Sequence, residues 1–443
     1  MKVSIVGAGL AGSEAALIIA KNGIEVDLFE MRPKVFTPAH KTDKPAELVC
    51  SNSLKSDELP TAHAILKYEL MRLKSPLLQI AYKTRVPAAV ALAVDRKLFS
   101  IEVLKKIQSF KNITYKIMEC DKPPIENYDF TVIATGPLTS PRLTNYLVDS
   151  LGAKKFNFYD ATAPIISADS IDTNTAFFAD RWNKGGGDYL NCPFNKEQYD
   201  KFYNALLSAD LVKAHDFENA KFFEMCLPIE VAAKRGYDVM RFSMMKPVGI
   251  TNPENAKQYF AVCQLRKENA NASAYNMVGF QTRMTITEQK KVFRLIPGLE
   301  NAEFLRFGSI HRNSYIDSPQ ILSCDLSFKN MSNLFIAGQL CGNEGYTESI
   351  ATGHFTALSI LNRIKNSEII EIPNSKTAIG ALLKHITRTT DKFTPSNINF
   401  SLFEEKEEGV KLRKNDKKEY FCKRAKEEFE KYEKYLFSKE LLF

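Results

Sequence analysis

A strand, a glycine-rich turn and a helix open the chain, and this unit constrains the fold more than any other stretch. The apolar run Lys2–Val6 leads directly into the pattern GAGLAG at residues 7–12, and helix-forming residues follow up to Ala20. A second short run ends at Glu30. Glycines at this spacing between a strand and a helix, with an acidic residue after the second strand, are typical of a dinucleotide-binding unit. We therefore predict an α/β protein that begins with a Rossmann-like unit.

Each part of this unit has a predicted role at the dinucleotide. Gly7 makes the sharp turn, Gly9 lets the backbone approach a pyrophosphate, and Gly12 lets the helix pack close to the strand. The helix N-terminus faces the phosphates, and Glu30 is placed to bind a ribose hydroxyl. The predicted contacts from the turn are Gly7, Ala8, Gly9, Leu10, Ala11 and Gly12.

The flanking residues and two later strands indicate which dinucleotide is bound. A fold that binds S-adenosylmethionine usually carries an acidic residue before the first glycine, where this chain has Val6. A Rossmann unit that opens the chain and is completed by C-terminal segments is typical of FAD-binding oxidoreductases. Two buried runs fit that pattern, because they end at Gly136 and at Gly338. Gln339 stands where many such proteins carry an Asp that binds the ribityl chain.

Changes in residue composition along the chain predict how the α/β fold is divided into domains. We expect a Rossmann-like FAD-binding domain interrupted by an inserted domain of mixed α+β structure that binds substrate. The last segment has apolar residues at helical spacing, which predicts an amphipathic helix packed on the body. The predicted parts are 1–150 for the N-terminal part of the FAD domain, 151–325 for the inserted domain, 326–403 for the C-terminal part of the FAD domain, and 404–443 for the charged helix.

Composition limits the function classes only loosely. Lys and Arg number 60 against 52 Asp and Glu, a net charge of +8 that is compatible with a nucleic-acid partner without demonstrating one. The eight cysteines form no CxxC or CxxH spacing, so we expect neither disulfides nor a metal site. No run of eighteen apolar residues is present, and the first strand begins at once. We therefore expect a cytoplasmic protein without a membrane span.

Ten motifs spread over nearly the whole chain resemble one family, the bacterial folate- and FAD-dependent tRNA uracil-5 methyltransferases. Met225 before Cys226 and the Cys341–Asn343 stretch depart from the usual family pattern. The motifs are GAGLAGSEAA (7–16), AELVCSNSL (46–54), LNCP (190–193), CLPIE (226–230), MKPVG (245–249), QLRKENA (264–270), NMVGFQT (276–282), LIPGLENAEF (295–304), HRNSYIDSP (311–319) and EGYTES (344–349).

The resemblance implies a reaction and a catalytic pair. The family makes 5-methyluridine in the T-loop of tRNA, with methylenetetrahydrofolate as the carbon donor, FAD as the carrier and NADPH or NADH as the reductant. Uracil carbon 5 becomes nucleophilic once a thiolate adds to carbon 6, and the adduct then loses its carbon 5 proton to a base. The family's pair corresponds to Cys226, expected as nucleophile, and Cys50, expected as general acid/base. The reverse assignment stays open. Ser51, Asn52 and Ser53 after Cys50 suit a helix N-cap or a turn, and Pro228 after Cys226 suits the first turn of a helix, so each thiol could lie near a helix N-terminus.

Other candidates are less specific. Gly345 and Tyr346 lie in a predicted glycine-flanked loop from Gly342 to Gly353, where Tyr346 could stack on the isoalloxazine or the folate pterin, or could pack as an ordinary tyrosine. Side chains that could bind phosphate or folate carboxylates, or simply form surface ion pairs, are Lys246, Arg283, His311 and Arg312.

Four alternative functions remain at this stage, and the oligomeric state is open. The same chemistry could act on a uridine of large-subunit ribosomal RNA. A related flavoprotein that helps to modify the tRNA wobble uridine has a similar glycine pattern, but this chain lacks the long C-terminal helical region of that group. A small-molecule FAD oxidoreductase and a non-catalytic FAD-binding protein are the remaining alternatives.

Overall fold

A computed structural model gives the fold, and it describes residues 1–212, 227–255, 257–390, 393–406, 413 and 416–442. The strands are β1 (Lys2–Val6), β2 (Glu25–Glu30), β3 (Ser53–Ser56), β4 (Arg85–Val86), β5 (Ala91–Val94), β6 (Ile113–Ile117), β7 (Phe130–Ile133), β8 (Lys155–Ala161), β9 (Ile165–Ser167), β10 (Phe177–Phe178), β11 (Tyr189–Phe194), β12 (Ala261–Lys267), β13 (Ala274–Met277), β14 (Phe304–Arg306), β15 (Ile310–Ile316), β16 (Ser327–Phe328) and β17 (Met331–Ile336).

The α-helices lie mostly against the two large sheets. They are α1 (Leu10–Lys21), α2 (Ala62–Arg72), α3 (Pro76–Lys83), α4 (Arg96–Gln108), α5 (Pro141–Asp149), α6 (Lys196–Ser208), α7 (Ile229–Arg235), α8 (Val239–Phe242), α9 (Ile286–Phe293), α10 (Ser318–Ile321), α11 (Tyr346–Asn366), α12 (Ala378–Thr387) and α13 (Asp416–Ser438).

A six-stranded sheet of order β16-β17-β7-β1-β2-β6 forms the centre of the first unit. All its pairs are parallel except β16 with β17. The last residue of β1, Val6, pairs with Phe29 on β2 and with Ile133 on β7, and Ile133 pairs in turn with Ile336 on β17. The segments that follow these four strands therefore meet at one edge, where α/β sheets bind their ligands.

Two helices cross each other behind this edge. Helix α1 begins directly after the glycine turn, and the 21-residue helix α11 packs against it. The approach is close, because a side-chain carbon on Gly353 of α11 would lie 2.7 Å from the Cα of Ala11. The N-terminal end of α11, at Gly345 and Tyr346, consequently reaches the same edge of the sheet as the glycine turn.

The second unit is an antiparallel sheet of order β10-β11-β12-β13-β9-β14 with its own apolar core. Phe194, Phe202 and Phe280 are fully buried there. Cys192 on β11 and Cys263 on β12, which lie opposite each other in the sheet as free thiols, are also fully buried. An antiparallel ribbon of β8 and β15 and a small sheet of order β3-β5-β4 lie outside both large sheets. Their residues contribute to the site described below.

The structure confirms the predicted fold class and corrects three local expectations. Residues 404–406 are not helical, and the described part of the C-terminal helix α13 spans Asp416–Ser438. Its predicted apolar stripe is buried. The stretch expected to be a loop up to Gly353 is already helical from Tyr346. No helix begins after Cys50, because strand β3 follows a turn there. The proposed boundaries after residues 150, 325 and 403 cut no described strand or helix.

Candidate active site

The glycine turn forms one wall of a small cavity at the carboxyl edge of the parallel sheet. Gly9 precedes α1, and the nearest atom to a side-chain carbon placed on it would be Ala134 O at 3.9 Å, so the space beside Gly9 is open. Gly7 differs, since it has a φ of +101° and the same carbon would lie 2.6 Å from Ala134 O. The cavity measures about 70 Å³ and is lined mainly by Val6, Gly7, Gly9, Phe29, Glu30, Arg32, His40, Thr135, Leu138 and Ser140.

Glu30 closes this cavity with a fully engaged carboxylate. Its oxygens accept the Ala8 N–H at 3.2 Å and three N–H groups of Arg32 at 2.9 to 3.1 Å. Burial opposes ionisation, but the hydrogen bonds and charge of Arg32 outweigh it and hold the pKa of Glu30 below its usual value. Glu30 therefore fixes the turn through Ala8, and its binding to a ribose remains a prediction.

Arg32 connects the turn to the following loop, and the sequence analysis did not identify it. Its guanidinium also donates to Glu47 Oε2 at 3.0 Å and to the Thr42 carbonyl at 3.1 Å. The side chain is 2% exposed, so this cation is buried between two carboxylates. Only its spacing of two residues from Glu30 could have indicated this role, and that spacing is common in any chain.

A second cavity of about 250 Å³ adjoins the first and contains Cys50. Leu138 lines both cavities, so together they could hold an extended ligand. Gln339, Gly345 and Tyr346, which were predicted from sequence, lie in its wall. Gly136 immediately precedes two lining residues, and Gly338 N donates to Thr352 Oγ1 at 2.9 Å. The other main lining residues are Ser51, Ser53, Lys55, Pro137, Asp160, Thr162, Arg266, Gln281, His311, Asn313, Glu344 and Glu348.

Tyr346 holds the backbone that carries the Cys50 thiol. Its hydroxyl oxygen accepts the N–H of Cys50 at 2.9 Å and that of Ser51 at 3.2 Å. Burial, and then the neighbouring Cys50, raises the pKa of Tyr346, so the phenol stays protonated. The Cys50 sulfur lies 3.9 Å from the carbonyl oxygen of Ala161. Tyr346 is therefore a positioning group in this structure, and its O–H proton is available to a group in the cavity.

Three arginines hold the segment around Cys50 from behind. Arg96 donates to Leu48 O at 2.7 Å, and Arg306 donates to the carbonyl of Val49. Arg266 donates to Asn52 Oδ1 at 2.9 Å. Arg266 also lines the cavity and so places one guanidinium beside the segment that carries the thiol, whereas Arg96 forms an ion pair with Glu268.

His311 contributes a neutral imidazole rather than a cation. Its Nε2 lies 3.0 Å from Ser309 Oγ. Burial, and then the charge of Arg306, lowers the pKa of His311 to about 4. The carboxyl groups of Asp160, Glu344 and Glu348 line the same cavity, and burial followed by the charge of Asp160 raises the pKa of Glu344 to about 8, which favours its protonated form. The cavity thus contains three carboxyl groups as well as Arg266.

The remaining sequence candidates lie elsewhere. Lys246 and Arg283 are not among the lining residues. Arg283 has its Nε 3.9 Å from Glu230 Oε1, an ion pair inside the second unit. The backbone of Arg312 belongs to β15, and its side chain lies outside the described part of the structure.

Cys226 also lies outside the described residues. The chain resumes at Leu227, and Pro228 precedes the short helix α7. The N–H of Ile229 donates to the carbonyl of Gln281 at 2.8 Å, and Gln281 lines the cavity of Cys50. Buried Glu230 reinforces this junction, because its oxygens accept Arg283 N and Thr282 Oγ1, each at 2.9 Å.

These residues fit FAD as the bound group. The open space at Gly9 faces the start of α1, where a pyrophosphate would meet free N–H groups. The adjoining cavity, with Gln339 and Tyr346, gives space for a flavin beside Cys50. Among the described residues, no group of three or more His, Cys, Asp or Glu side chains could hold a metal ion. None of the described helices is both long enough and apolar enough to cross a bilayer.

Comparisons with known proteins identify the family of the chain. The family described as "Glucose inhibited division protein A" matches residues 2–368. A relative from Koribacter versatilis named "Methylenetetrahydrofolate--tRNA-(uracil-5-)-methyltransferase TrmFO" is 48% identical, covering 97% of each chain. One of the same name from Thermosipho melanesiensis is 46% identical over 98% of this chain and 99% of its own.

A solved structure of Aquifex aeolicus GidA superimposes with a TM-score of 0.68 at 17% identity, covering 97% of this chain and 76% of that one. This likeness concerns the fold, whereas the near-complete alignments at 46% and 48% identity concern the family. The chain therefore belongs to the methylenetetrahydrofolate–tRNA-(uracil-5-)-methyltransferase family within the glucose-inhibited division protein A group.

Proposed function

We infer that this chain is an FAD-dependent enzyme that uses methylenetetrahydrofolate to methylate carbon 5 of a uridine in tRNA. The observation that carries this inference is the position of Cys50, in a cavity that adjoins the dinucleotide turn and has Tyr346 in its wall. Relatives that align with nearly the whole chain bear the name of this activity. A small-molecule FAD oxidoreductase would not need a thiol in this position.

The chain's thiols supply the covalent chemistry on the uracil ring. One thiolate adds to carbon 6 and makes carbon 5 nucleophilic, and a base then removes the carbon 5 proton so that the thiolate can leave. We assign the first role to Cys226 and the second to Cys50. Supporting this pair, the segment that carries Cys226 joins the described chain beside Gln281, which lines the cavity of Cys50.

The turn at Gly7–Gly12, Gln339 and Tyr346 would hold FAD. When bound, FAD carries the one-carbon unit and the electrons that NADPH or NADH supplies. The chain's own residues fix the thiol, because one phenol oxygen accepts the N–H groups of both Cys50 and Ser51. Arg266, which is buried and lines the cavity, would favour an anionic substrate close to the thiol.

We propose the T-loop of tRNA as the substrate, and consequently a cytoplasmic location. The surplus of basic residues and the arginines behind Cys50 are compatible with RNA. A uridine of large-subunit ribosomal RNA is the second candidate, because the same thiol chemistry would serve it.

Methyl transfer to a T-loop minihelix tests this function. The purified FAD-loaded protein should require methylenetetrahydrofolate and a reduced nicotinamide, and S-adenosylmethionine should not replace them. A minihelix with uridine changed to cytidine at the target position is the control. If methyl transfer occurred to a ribosomal RNA fragment and not to the minihelix, ribosomal RNA rather than tRNA would be the substrate. Methyl transfer that depends on S-adenosylmethionine would refute the function.

A further inference from the structure

The only tryptophan of the chain lies on the surface of the second unit and has no role in the function proposed above. Trp182 is 64% exposed, although tryptophan is highly buried on average. Trp182 and Asn183 have φ values of +60° and +54°, in the left-handed region that non-glycine residues rarely adopt. Strain of this kind persists only where neighbouring contacts impose it, and it is frequent at ligand-binding sites.

Neighbouring contacts do impose this conformation. Trp182 N donates to Gly249 O at 2.7 Å. The guanidinium of Arg181 donates to Lys246 O at 2.8 Å and also to the carbonyl of Val248. Trp182 is therefore held by the backbone of residues 246–249, and its ring is presented to solvent in a fixed place.

One face of the indole ring is covered and the other is exposed. A side-chain carbon on Gly249 would lie 2.6 Å from Cε2 and 2.8 Å from Cδ2 of Trp182. These two atoms form the bond shared by the rings, which an outside atom can approach so closely only from above a face. Because Gly249 covers that face and 64% of Trp182 is exposed, the opposite face is open.

The indole borders a cleft of about 450 Å³. We call this the Trp182 cleft, and its lining residues are Trp182, Asn183, Pro247, Val248, Gly249, Ile250, Thr251, Gln258 and Tyr259. Its walls combine aromatic and apolar surface with the amide groups of Asn183 and Gln258. An aromatic surface with amides at its border suits a planar heterocycle that carries hydrogen-bonding groups on its edge.

The Trp182 cleft is a neighbour of the Cys50 cavity. Arg181 Nη2 lies 3.5 Å from Gln264 Oε1 on β12. Gln264 and Arg266 point to the same face of that strand about 7 Å apart, and Arg266 lines the Cys50 cavity. On the other side, Ala89 N donates to Asp188 Oδ2 at 2.6 Å, which joins the Trp182 loop to the small β3-β5-β4 sheet.

We propose that the open face of Trp182, at the border of the Trp182 cleft, binds an unpaired nucleobase of the RNA substrate, close in sequence to the target uridine, by stacking. This proposal rests on the proposed function. Lys246 and Lys267 lie on or beside the same loops and supply positive charge for the phosphates on either side of that base, whereas Lys184 is paired with Glu58. Loop RNA is recognised in this way, with splayed bases stacked on aromatic side chains.

Steady-state methylation with the FAD-loaded enzyme tests the cleft. Trp182→Ala should lower kcat/KM for the RNA by about 5- to 150-fold, the range measured for loss of one base–aromatic stack. Trp182→Phe should restore part of the loss, since a smaller ring still stacks. Phe437→Ala on α13, which removes another exposed aromatic side chain, is the matched control and should change nothing. The KM values for methylenetetrahydrofolate and for the nicotinamide should stay unchanged.

Tryptophan fluorescence gives an independent measurement, because Trp182 is the only tryptophan in the sequence. Adding RNA to the FAD-loaded protein should quench it, with a midpoint equal to the dissociation constant of the RNA. An unchanged kcat/KM in Trp182→Ala, or an increased KM for the folate or nicotinamide alone, would overturn the proposal without affecting the proposed function. A wild type that methylates no RNA would refute the function, while quenching by RNA would still support the cleft.

Discussion

The hydroxyl of Tyr346 and the backbone of Cys50 form the contact on which the site's geometry most depends. One phenol oxygen accepts two consecutive N–H groups, a bond pattern that leaves the Cys50–Ser51 peptide little freedom. A thiol that must alternate between giving and taking a proton benefits from such a fixed backbone, because proton transfer requires heavy-atom distances near 3 Å.

The two cysteines should be separable by trapping on RNA that contains 5-fluorouridine. Fluorine cannot leave carbon 5 as a cation, so an enzyme whose thiolate has added to carbon 6 remains covalently bound once the methylene has been delivered to carbon 5. Cys226→Ala should keep FAD and form no adduct. Cys50→Ala should still form it, while turnover on normal RNA falls by about 10²–10⁴-fold through loss of the acid/base group. Denaturing gel electrophoresis of labelled RNA measures the adduct.

Cys192→Ala is a suitable control, because this thiol is fully buried in the core of the second unit and away from the cavity. An adduct that survives Cys226→Ala but disappears with Cys50→Ala would show that Cys50 is the nucleophile and Cys226 the acid/base. Adducts in both variants would remove thiolate addition from the mechanism.

His311 should make the folded state sensitive to moderately acidic pH. Its pKa is lowered to about 4 by burial and by Arg306, from an ordinary value of 6.5. As pH falls below about 6.5, the unfolded chain takes up the proton first, so the free energy of unfolding decreases between about pH 6.5 and 4. His311→Gln should remove about 2 kcal/mol of the decrease between pH 7.5 and 5. Urea unfolding at pH 7.5 and 5 measures it, and equal losses in variant and wild type would contradict a neutral folded imidazole.

At the scale of elements, the N-terminus of α12 depends on a carboxylate from a distant helix. Glu69 on α2 is fully buried and accepts the N–H groups of Ala378 and Ile379 at 2.7 and 2.8 Å. The cap residue Thr377 accepts the N–H of Gly380 at 3.0 Å. Glu69 therefore satisfies two of the N–H groups that the start of a helix leaves without partners.

Glu69→Ala should destabilise the protein by about 2–5 kcal/mol, because two buried N–H groups lose their acceptor and a cavity is left. Chemical unfolding of the FAD-loaded protein measures this. Glu430→Ala on the exposed side of α13 is the matched control and should stay within about 0.5 kcal/mol of the wild type. A loss equal to that of the control would show that water replaces the carboxylate.

Elements with a strong local pattern could be predicted from the sequence, and contacts between distant segments could not. The spacing of Lys2–Val6, the glycine turn and α1 contains all the information needed for that unit, because its parts are neighbours in the chain. The acceptor of the Cys50 N–H lies on Tyr346, 296 residues away, and Glu69 caps a helix 309 residues away. Such pairs depend on how the elements pack, which no local periodicity records.

The same limit explains the errors in the sequence analysis. Polar residues after Cys50 suit either a turn or a helix start, and pairing with β5 selects the turn followed by β3. Tyr346 follows glycines that suggest a loop, but packing of α11 on α1 extends the helix to that residue. In both cases tertiary contacts decided between local structures that the residues alone permit.

At the scale of the whole molecule, the proposed cofactor site joins segments that are far apart in the chain. The glycine turn and Glu30 come from the first thirty residues, Thr135 and Leu138 from the end of β7, and Gln339 from the end of β17. A ligand that contacts all of these stabilises the folded state only, so bound FAD should add about 2.7 kcal/mol at a hundred times its dissociation constant.

Two glycines of the same turn should separate cofactor binding from folding. Gly9 has a φ of −71° and open space beside it, so Gly9→Glu should fold normally but lose FAD, because a carboxylate would occupy the place of the pyrophosphate. Gly12→Ala should instead damage folding, since its side chain would overlap the carbonyl oxygen of Gly7. Absorbance near 450 nm measures FAD, and thermal unfolding without added FAD measures the fold. Gly9→Glu protein that remains yellow would show that the dinucleotide binds away from this turn.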